Sequence, residues 1–210
     1  MEQNSRKIAG HLLKIQAVMV NVTSPFTWSA GWKSPIYCDN RLILSYPSIR
    51  TEVIAAFCDL IRERFEGVEV IAGVATAGIA HGALVAQQLG LPFAYVRSKA
   101  KGHGRKNQIE GRIEAGQKCV VIEDLISTGK SSVLAVNALK ERQAEVLGTV
   151  SIFSYGFPQA KAAFAETSTP YYSLTSLEDL LQKAVEINYL QPSALETIYQ
   201  WQKAPERWLS

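Results

Sequence analysis

The residues best suited to chemistry lie in the run Glu123-Asp-Leu-Ile-Ser-Thr-Gly-Lys-Ser131. Two adjacent carboxylates follow an apolar stretch, and a Ser-Thr-Gly turn then leads directly into a helical pattern. Carboxylates accept hydrogen bonds from hydroxyls, whereas the free N–H groups of a turn and the start of a helix attract anions. We therefore expect Glu123 and Asp124 to bind the hydroxyls of a ribose, and Ile126 to Ser131 to bind its phosphate.

Two other interpretations of the same run are weaker. Its end resembles a P-loop, but a P-loop needs glycine five residues before its Gly-Lys pair, and Asp124 has that place here. The negative charge of Asp124 would lie where nucleotide phosphates must bind. Alternatively, Glu123 and Asp124 could simply cap the following helix. That reading is physically sound, but it leaves the composition of the turn to coincidence.

A second candidate is the basic segment Arg97-Ser-Lys-Ala-Lys-Gly-His-Gly-Arg-Lys106, in which six of ten residues are Arg, Lys or His. Residues 98–114 are polar and rich in glycine, without an apolar period. The pattern predicts a long loop of the kind that covers active sites. Its cations could form a local anion-binding site, although a solvated run of charges would have the same composition.

Composition limits the class of protein. The chain has 210 residues, 47% of them hydrophobic, and a formal net charge of +3. These values are typical of one globular domain and do not provide the strongly basic face that nucleic-acid binding requires. Cys38, Cys58 and Cys119 are widely spaced, which predicts reduced thiols rather than disulfides or a zinc site. No apolar run suggests a membrane span or a signal peptide, so we expect a cytoplasmic protein.

Strands and helices must alternate around these residues to position them. An amphipathic helix is predicted over 5–20, and a hairpin from Phe26-Thr-Trp-Ser and Pro35-Ile-Tyr-Cys-Asp. The centre of the chain predicts strands at 68–74, 92–97, 118–123 and 146–154, helices at 47–64 and 130–142 and another ending near 89–90, and a loop at 75–78. Beyond Pro158 the pattern is helical, including a segment at 193–201. Repeated βαβ units predict an α/β fold with a central, mostly parallel sheet, which binds ligands at the carboxyl ends of its strands.

Three stretches of this chain resemble a known family. Val120-Val-Ile-Glu-Asp-Leu-Ile-Ser-Thr-Gly-Lys-Ser131 resembles the 5-phosphoribosyl 1-diphosphate (PRPP) signature of the type I phosphoribosyltransferases. Phe26-Thr-Trp-Ser, Ser34-Pro-Ile-Tyr-Cys-Asp and Arg97-Ser-Lys-Ala-Lys-Gly-His-Gly resemble the orotate phosphoribosyltransferases in particular. The resemblance runs from about residue 6 to about residue 156, in the same order and spacing.

The resemblance implies a fold and an activity. The expected fold is a single type I phosphoribosyltransferase domain over residues 1–210, with a core at about 46–175. A small hood would come from about residues 1–45 and could include part of the C-terminus. The expected reaction transfers the 5-phosphoribosyl group of PRPP to orotate, giving orotidine 5′-phosphate and diphosphate in pyrimidine synthesis. Mg²⁺ would be the cofactor, bound mainly through PRPP and water rather than directly by the protein. The expected assembly is a homodimer with shared active sites, binding neither nucleic acid nor membrane.

The resemblance also implies roles for individual residues. The residues expected to bind PRPP are Arg97, Lys101, His103, Glu123, Asp124, Leu125, Ile126, Ser127, Thr128, Gly129, Lys130 and Ser131. Those expected to act in catalysis are Lys101, His103 and Asp124. The loop against the diphosphate would contain Thr76, Ala77 and Gly78. Orotate would contact Ser127, Tyr37 and Cys38.

The sequence departs from the family pattern at three places. Some members carry lysine where this chain has Ser98 and Ala77, so two positive charges are missing. Some members also bind the orotate carboxylate with an arginine in the region where this chain has Ser154-Tyr-Gly156. Lys33 is a candidate substitute for that arginine.

Two rival functions remain open at this point. A phosphoribosyltransferase that acts on a purine or on uracil would share the sugar-phosphate site, and the hairpin motif is what favours orotate. A regulator that senses PRPP and binds nucleic acid would need a broad basic face or an added DNA-binding module, and neither is evident in the sequence.

Overall fold

Helices and strands alternate along the chain in this computed structural model, which describes residues 2–28, 31–98 and 108–208. The N-terminal elements are α1 (Glu2–Lys14), β1 (Val18–Val20), β2 (Phe26–Thr27), β3 (Lys33–Ser34), β4 (Ile36–Cys38) and a 3₁₀ helix (Asn40–Ser45). The central elements are α2 (Pro47–Arg64), β5 (Val70–Val74), α3 (Ala77–Leu89), β6 (Phe93–Val96), β7 (Ile109–Glu110), β8 (Lys118–Ile126), α4 (Lys130–Glu141) and β9 (Glu145–Ser154). The C-terminal elements are α5 (Pro158–Glu166), β10 (Tyr171–Ser176), α6 (Leu177–Glu186), a second 3₁₀ helix (Pro192–Ala194) and α7 (Leu195–Lys203).

Six strands form the central sheet in the order β10-β9-β8-β5-β6-β7. All neighbouring pairs are parallel except β6 and β7, which are antiparallel. The predicted α/β class with a mostly parallel sheet is therefore confirmed. The chain leaves β5 towards β6 on one side, whereas β8 pairs with the other side of β5. The order of the strands thus reverses between β5 and β8, where sheets of this kind bind ligands.

Helices cover both faces of the sheet because its central strands are apolar on both sides. In β8, Val120 and Ile122 belong to the large cluster that also contains residues of α1, α2, α6 and α7. Cys119 and Val121, which point the other way, belong to a second cluster with α4. Packing on both faces fixes the position of β8, and with it the carboxylates near its end.

The N-terminal elements form a hood, by which we mean the residues before α2, and they differ from the prediction. The first helix ends at Lys14 rather than near residue 20. Val18–Val20 forms a strand instead, consistent with the preference of valine for extended backbone. β2 pairs with β3 in a hairpin. The second predicted hairpin strand, which is β4, pairs with β1.

The C-terminal part contains a strand that the helical prediction missed. β10 lies parallel to β9 at the edge of the sheet. Its residues Tyr171, Tyr172 and Thr175 are of types that favour strands. The helices α5 and α7 agree with the predicted helical pattern. Two central boundaries also differ, because β5 begins at Val70, and α3 begins at Ala77, inside the segment predicted as a loop.

The three cysteines of the chain are free thiols. Cys58 and Cys119 are buried free thiols, and Cys38 is a half-buried free thiol. No helix within the described ranges is long and apolar enough to cross a membrane.

Candidate active site

A cavity of about 350 Å³ lies at the carboxyl ends of β5, β6 and β8. Its walls include Ala75 after β5, Arg97 and Ser98 after β6, and the turn Ser127–Ser131 after β8. These are parts of the three segments that the sequence predicted to converge. The structure therefore brings them together at the point where the strand order reverses.

The turn after β8 presents free backbone N–H groups. Gly129 has a φ of +77° and precedes α4, which no side chain caps. Among the residues that the structure describes, no protein group accepts a hydrogen bond from the backbone N–H groups of Thr128 to Ser131. Glu123 and Asp124 therefore do not cap the backbone N–H groups of this helix, and Glu123 bonds instead to two hydroxyls of its first turn. The start of α4 instead offers unpaired donors and a positive helix end to an anion in the cavity.

Glu123 lies beneath this turn rather than in the open cavity. Its side chain is 4% exposed in a strand that extends to Ile126, so both carboxylates lie within β8 and not after it. One carboxylate oxygen of Glu123 accepts hydrogen bonds from Ser131 Oγ and Ser132 Oγ, each at 3.1 Å. Burial raises the pKa of Glu123, and the charge of Asp124 raises it further. Through its two hydrogen bonds to Ser131 and Ser132, Glu123 joins the end of β8 to the first turn of α4.

Asp124 is more accessible than Glu123 and has different neighbours. Its residue is half-buried, and its carbonyl oxygen accepts a hydrogen bond from Asn40 Nδ2 at 2.7 Å. Burial raises the pKa of Asp124, whereas its hydrogen bonding with Glu123 and the positive charge of Arg41 act to lower it. Asp124 therefore lies between the turn and the hood, where a carboxylate can meet the hydroxyls of a sugar.

The predicted diphosphate loop packs tightly against β8. The peptide bond between Ala75 and Thr76 is cis. A Cβ atom on Gly78 would lie 2.4 Å from the carbonyl oxygen of Ile122, so only glycine permits this approach. Ala75 reaches the wall of the cavity, whereas Thr76, Ala77 and Gly78 lie outside that wall.

The basic segment is described only at its two ends. Arg97 lines the cavity, and its carbonyl oxygen accepts a hydrogen bond from Gln108 Nε2 at 2.8 Å. Its guanidinium forms a long contact of 3.5 Å with Glu110. The predicted catalytic residues Lys101 and His103 lie outside the described residues.

The predicted base-binding wall lies on the hood, on the other side of Asp124. Tyr37 is 39% exposed, and its ring packs on Phe26 with centroids 5.7 Å apart. Burial raises the pKa of the Cys38 thiol, and the nearby charges of Asp124 and Asp39 raise it further. Tyr37 and Cys38 do not line the 350 Å³ cavity. The two predicted binding surfaces thus meet at Asp124 rather than sharing one pocket.

Three residues near Asp124 were missed by the sequence analysis: Asn40, Arg41 and Tyr155. Asp39 binds the Arg41 guanidinium through both carboxylate oxygens, at 2.6 and 2.9 Å. This hydrogen bonding raises the pKa of Arg41, and the nearby Asp124 and Tyr37 raise it slightly further. The available signal was proximity in sequence, because Asn40 and Arg41 directly follow the hairpin motif.

Tyr155 lies in the region where the family resemblance implies an arginine in some members, and it is 1% exposed. Burial raises its pKa, and the neighbouring Cys38, Asp124 and Tyr37 raise it further. Its ring lies 5.2 Å from that of Trp28 and 5.5 Å from that of Trp201, between centroids. Trp28 and Trp201 therefore act as packing residues of this aromatic cluster. The cluster connects the hood, the end of β9 and α7 behind the base-binding wall.

Comparisons with known proteins agree with this geometry. The family described as phosphoribosyl transferase domain matches residues 41–186. The orotate phosphoribosyltransferase of Bacillus pumilus is 52% identical over 97% of this chain and 97% of its own. The crystal structure of orotate phosphoribosyltransferase from Aeropyrum pernix has a TM-score of 0.76 at 26% identity, covering 88% of this chain and 99% of that one.

A longer protein matches as well. The structure of Leishmania donovani UMP synthase has a TM-score of 0.80 at 26% identity and covers 95% of this chain. This chain spans 43% of the length of that protein.

Proposed function

This chain belongs to the orotate phosphoribosyltransferases, within the phosphoribosyl transferase domain family, and on that premise we propose that it joins a ribose 5-phosphate unit to orotate. The donor is PRPP, and the products are orotidine 5′-phosphate and diphosphate, the former being a precursor of UMP. The reaction is a pentosyl transfer, which makes the protein a glycosyltransferase.

One observation carries the proposal. The turn after β8 has unpaired N–H groups, and the half-buried Asp124 lies near the end of β8, just before that turn. A 5-phosphate accepts hydrogen bonds from the N–H groups of Thr128 to Ser131, and ribose hydroxyls donate to Asp124. The buried Glu123 fixes the start of α4 through Ser131 and Ser132 and so keeps the turn open.

The chemistry requires charge stabilisation more than a protein nucleophile. Breaking the bond between ribose C1 and diphosphate produces a transition state with positive charge on the sugar and negative charge on the leaving group. Orotate supplies the attacking ring nitrogen. We assign Asp124 to the sugar, and Arg97 together with Lys101 and His103 to the leaving diphosphate. Thr76, Ala77 and Gly78 approach the same diphosphate through their backbone.

Mg²⁺ fits the oxygen-rich chemistry of this site. The half-buried Asp124 offers a hard carboxylate oxygen, of the kind that Mg²⁺ accepts in combination with phosphates and water. When bound, the ion would supply positive charge to the leaving diphosphate oxygens. We propose that it enters with PRPP and is held mainly by PRPP and water.

We assign the base to the hood, at Tyr37 and Cys38, in front of the buried Tyr155. Tyr37 offers its ring for stacking and Cys38 its backbone. For the orotate carboxylate we propose Arg41 in place of Lys33. The Nζ atom of Lys33 donates to Thr27 Oγ1 at 2.9 Å on the outer hairpin, whereas the Arg41 guanidinium lies near Tyr37 and Asp124.

The segment after Arg97 serves this site as a lid in our proposal. A reactive sugar cation must be kept from water, which gives a basic, glycine-rich segment a reason to cover the cavity during reaction. We further propose that Lys101 and His103 reach the active site of a partner subunit in a homodimer, and that the enzyme acts in the cytoplasm.

A single assay tests the proposal. The protein is mixed with PRPP and Mg²⁺ and with orotate, uracil, hypoxanthine or adenine in turn, and nucleotide and diphosphate are measured by chromatography. We expect both products with orotate and neither with the other bases. Turnover of uracil or a purine without orotate would overturn the choice of base and keep the sugar-phosphate site. Failure with all four bases would overturn the activity.

A further inference from the structure

A buried amide side chain joins the hood to the strand that carries the carboxylates. Asn40 is fully buried and begins the first 3₁₀ helix. Its Nδ2 donates to the carbonyl oxygen of Asp124 at 2.7 Å. Its Oδ1 accepts a hydrogen bond from Cys38 Sγ at 3.4 Å. Burying an amide without partners is unfavourable, and here each end of the amide bonds to a different part of the molecule.

The bond to Asp124 is made where the sheet provides no neighbour on one side. Ile122 is the last residue of β8 that pairs with β5, and Asp124 lies two residues further on. The pairing with β9 continues to Ile126 on the other side. Asn40 therefore supplies a donor to a part of β8 that one neighbouring strand no longer reaches. The position of the Asp124 backbone, and so of its carboxylate, depends in part on this side chain.

A third element, the helix α3, lies next to Asn40. His81, on α3, is fully buried, and neither ring nitrogen has a hydrogen-bond partner among the described residues. The backbone of Asn40 lies close to the ring but outside good hydrogen-bond geometry. At its start, α3 contacts β8 directly, because Gly78 approaches Ile122. Asn40 is thus enclosed by the base-binding wall, the helix after the diphosphate loop and the end of β8.

We propose that Asn40 is a positioning residue that sets the distance between the base-binding wall at Cys38 and the ribose-binding carboxylate of Asp124. The reaction joins a base nitrogen to ribose C1, so these two surfaces must hold their ligands at bonding distance. Small misplacements of reacting groups are expensive in rate. The inference rests on the proposed function and assigns Asn40 a part that acts through Asp124 and not by touching substrate.

The amide of Asn40 allows a test whose expected result differs from that of a general loss of stability. In Asn40→Asp the new carboxylate would face Asp124, the Cys38 thiol and the neutral ring of His81. While ionised it has no donor for the Asp124 carbonyl. When protonated it has one O–H donor at nearly the same place. Activity lost in this variant should therefore return as the pH falls. Asn40→Leu, of similar size, removes the donor at every pH.

The experiment measures kcat and KM for PRPP and orotate across a pH series, for wild type, Asn40→Leu, Asn40→Asp and Asn137→Asp. Asn137 is exposed on α4 and carries the same chemical change as a control. We expect kcat/KM of Asn40→Leu to fall about 10- to 100-fold at all pH values. The ratio of Asn40→Asp to wild type should rise as the pH falls from about 8 to about 6, where a buried carboxyl takes up its proton. The ratio for Asn137→Asp should stay close to one.

Two results would overturn the proposal: Asn40→Leu within twofold of wild type, or a ratio for Asn40→Asp that does not change with pH. Should Asn40→Leu fail to fold, the pH series of Asn40→Asp decides the question alone. Wild type without orotate turnover would contradict the proposed function instead. In that case the same comparison is made by calorimetric binding of PRPP, where loss of affinity in Asn40→Leu supports the positioning role and unchanged affinity overturns it.

Discussion

In the proposed reaction the turn after β8 binds the sugar phosphate and the hood binds the base, and these two regions are built in different ways. The turn follows a strand of nine residues that is paired on both sides and packed on both faces. The hood strands have two or three residues each. They are fixed by contacts with distant parts of the chain, such as Trp28 with Trp201 and Asn40 with Asp124.

This difference suggests a division of roles. The sugar-phosphate end is shaped by main-chain groups of the sheet and of α4, which leave little freedom to the ligand. The base end depends on side chains that reach across the molecule, so its shape is set by packing. Mutations behind the hood should therefore change the use of orotate more than the use of PRPP.

The largest effect on the hood is expected from Trp201→Ala. Trp201 is fully buried, and its ring packs edge-on against Trp28 and Tyr155. We expect a loss of about 3–5 kcal/mol in the free energy of unfolding, as for other buried aromatic residues. Urea denaturation measures this loss, and kinetics should show a larger rise in KM for orotate than for PRPP. Trp208→Ala, at a half-buried position, is the control with the smaller loss. A rise confined to PRPP would contradict the division between the two regions.

Within the sugar-phosphate end, the two adjacent carboxylates should respond differently. Asp124→Asn should lower kcat/KM about 10²- to 10³-fold, as removal of one preorganised group at a charged transition state does. Glu123→Gln should have a much smaller effect, because the Glu123 side chain is buried and bonds to Ser131 and Ser132, and glutamine can accept the same hydrogen bonds. Steady-state kinetics compares the two variants. A larger loss in Glu123→Gln would mean that Glu123, and not Asp124, binds the ribose.

A pH dependence should report on the junction between the two regions. Burial lowers the pKa of His81 from 6.5 to about 4, so the unfolded chain takes up a proton below pH 6.5 that the folded protein does not. This contribution to stability is present above pH 6.5 and is lost as the pH falls towards 4. Between pH 7.5 and pH 5 the loss should be about 2 kcal/mol.

Comparison with His81→Gln isolates that contribution. The raised pKa of Glu123 acts in the opposite sense, because there the folded state binds the proton more tightly. Since Glu123 is present in both proteins, the difference between their urea-denaturation curves at the two pH values belongs to His81. Equal pH dependence in wild type and His81→Gln would contradict the account, because it would mean that His81 has the same pKa in the folded and the unfolded chain.

The smallest expected effect separates two candidate partners of the orotate carboxylate. Arg41→Ala should raise KM for orotate about tenfold. This matches the lower end of the binding free energy that a charge-assisted hydrogen bond contributes at an exposed position. Lys33→Ala should change it less than twofold, because Lys33 faces Thr27 on the outer hairpin. KM for PRPP serves as the internal control. The reverse order would restore Lys33 as the carboxylate partner.

Local patterns in the sequence predicted the sugar-phosphate end well. The helix over Pro47–Arg64, the apolar strands and the carboxylates before the Ser-Thr-Gly turn can each be recognised from a short, continuous stretch of sequence. Parallel sheets bring the ends of their strands to one edge, so the convergence followed from the fold class. Predicting the turn did not require knowledge of distant contacts.

The hood could not be predicted in the same way. β4 pairs with β1, which lies earlier in the chain than the hairpin, and strands of two or three residues have almost no periodic pattern. The role of Asn40 depends on a hydrogen bond to Asp124, which lies 84 positions away in the sequence. The role of Tyr155 depends on its proximity to Cys38, in a distant part of the chain. β10 was missed because Tyr171-Tyr-Ser-Leu-Thr-Ser176 has no regular apolar alternation and lies between two helices.

The most direct test of the account is a crystal structure of the protein with PRPP and Mg²⁺. The account predicts that the 5-phosphate accepts hydrogen bonds from the backbone N–H groups of Thr128 to Ser131, and that the ribose hydroxyls donate to Asp124. A phosphate bound anywhere else, or a ribose that contacts neither Asp124 nor its neighbours, would contradict it.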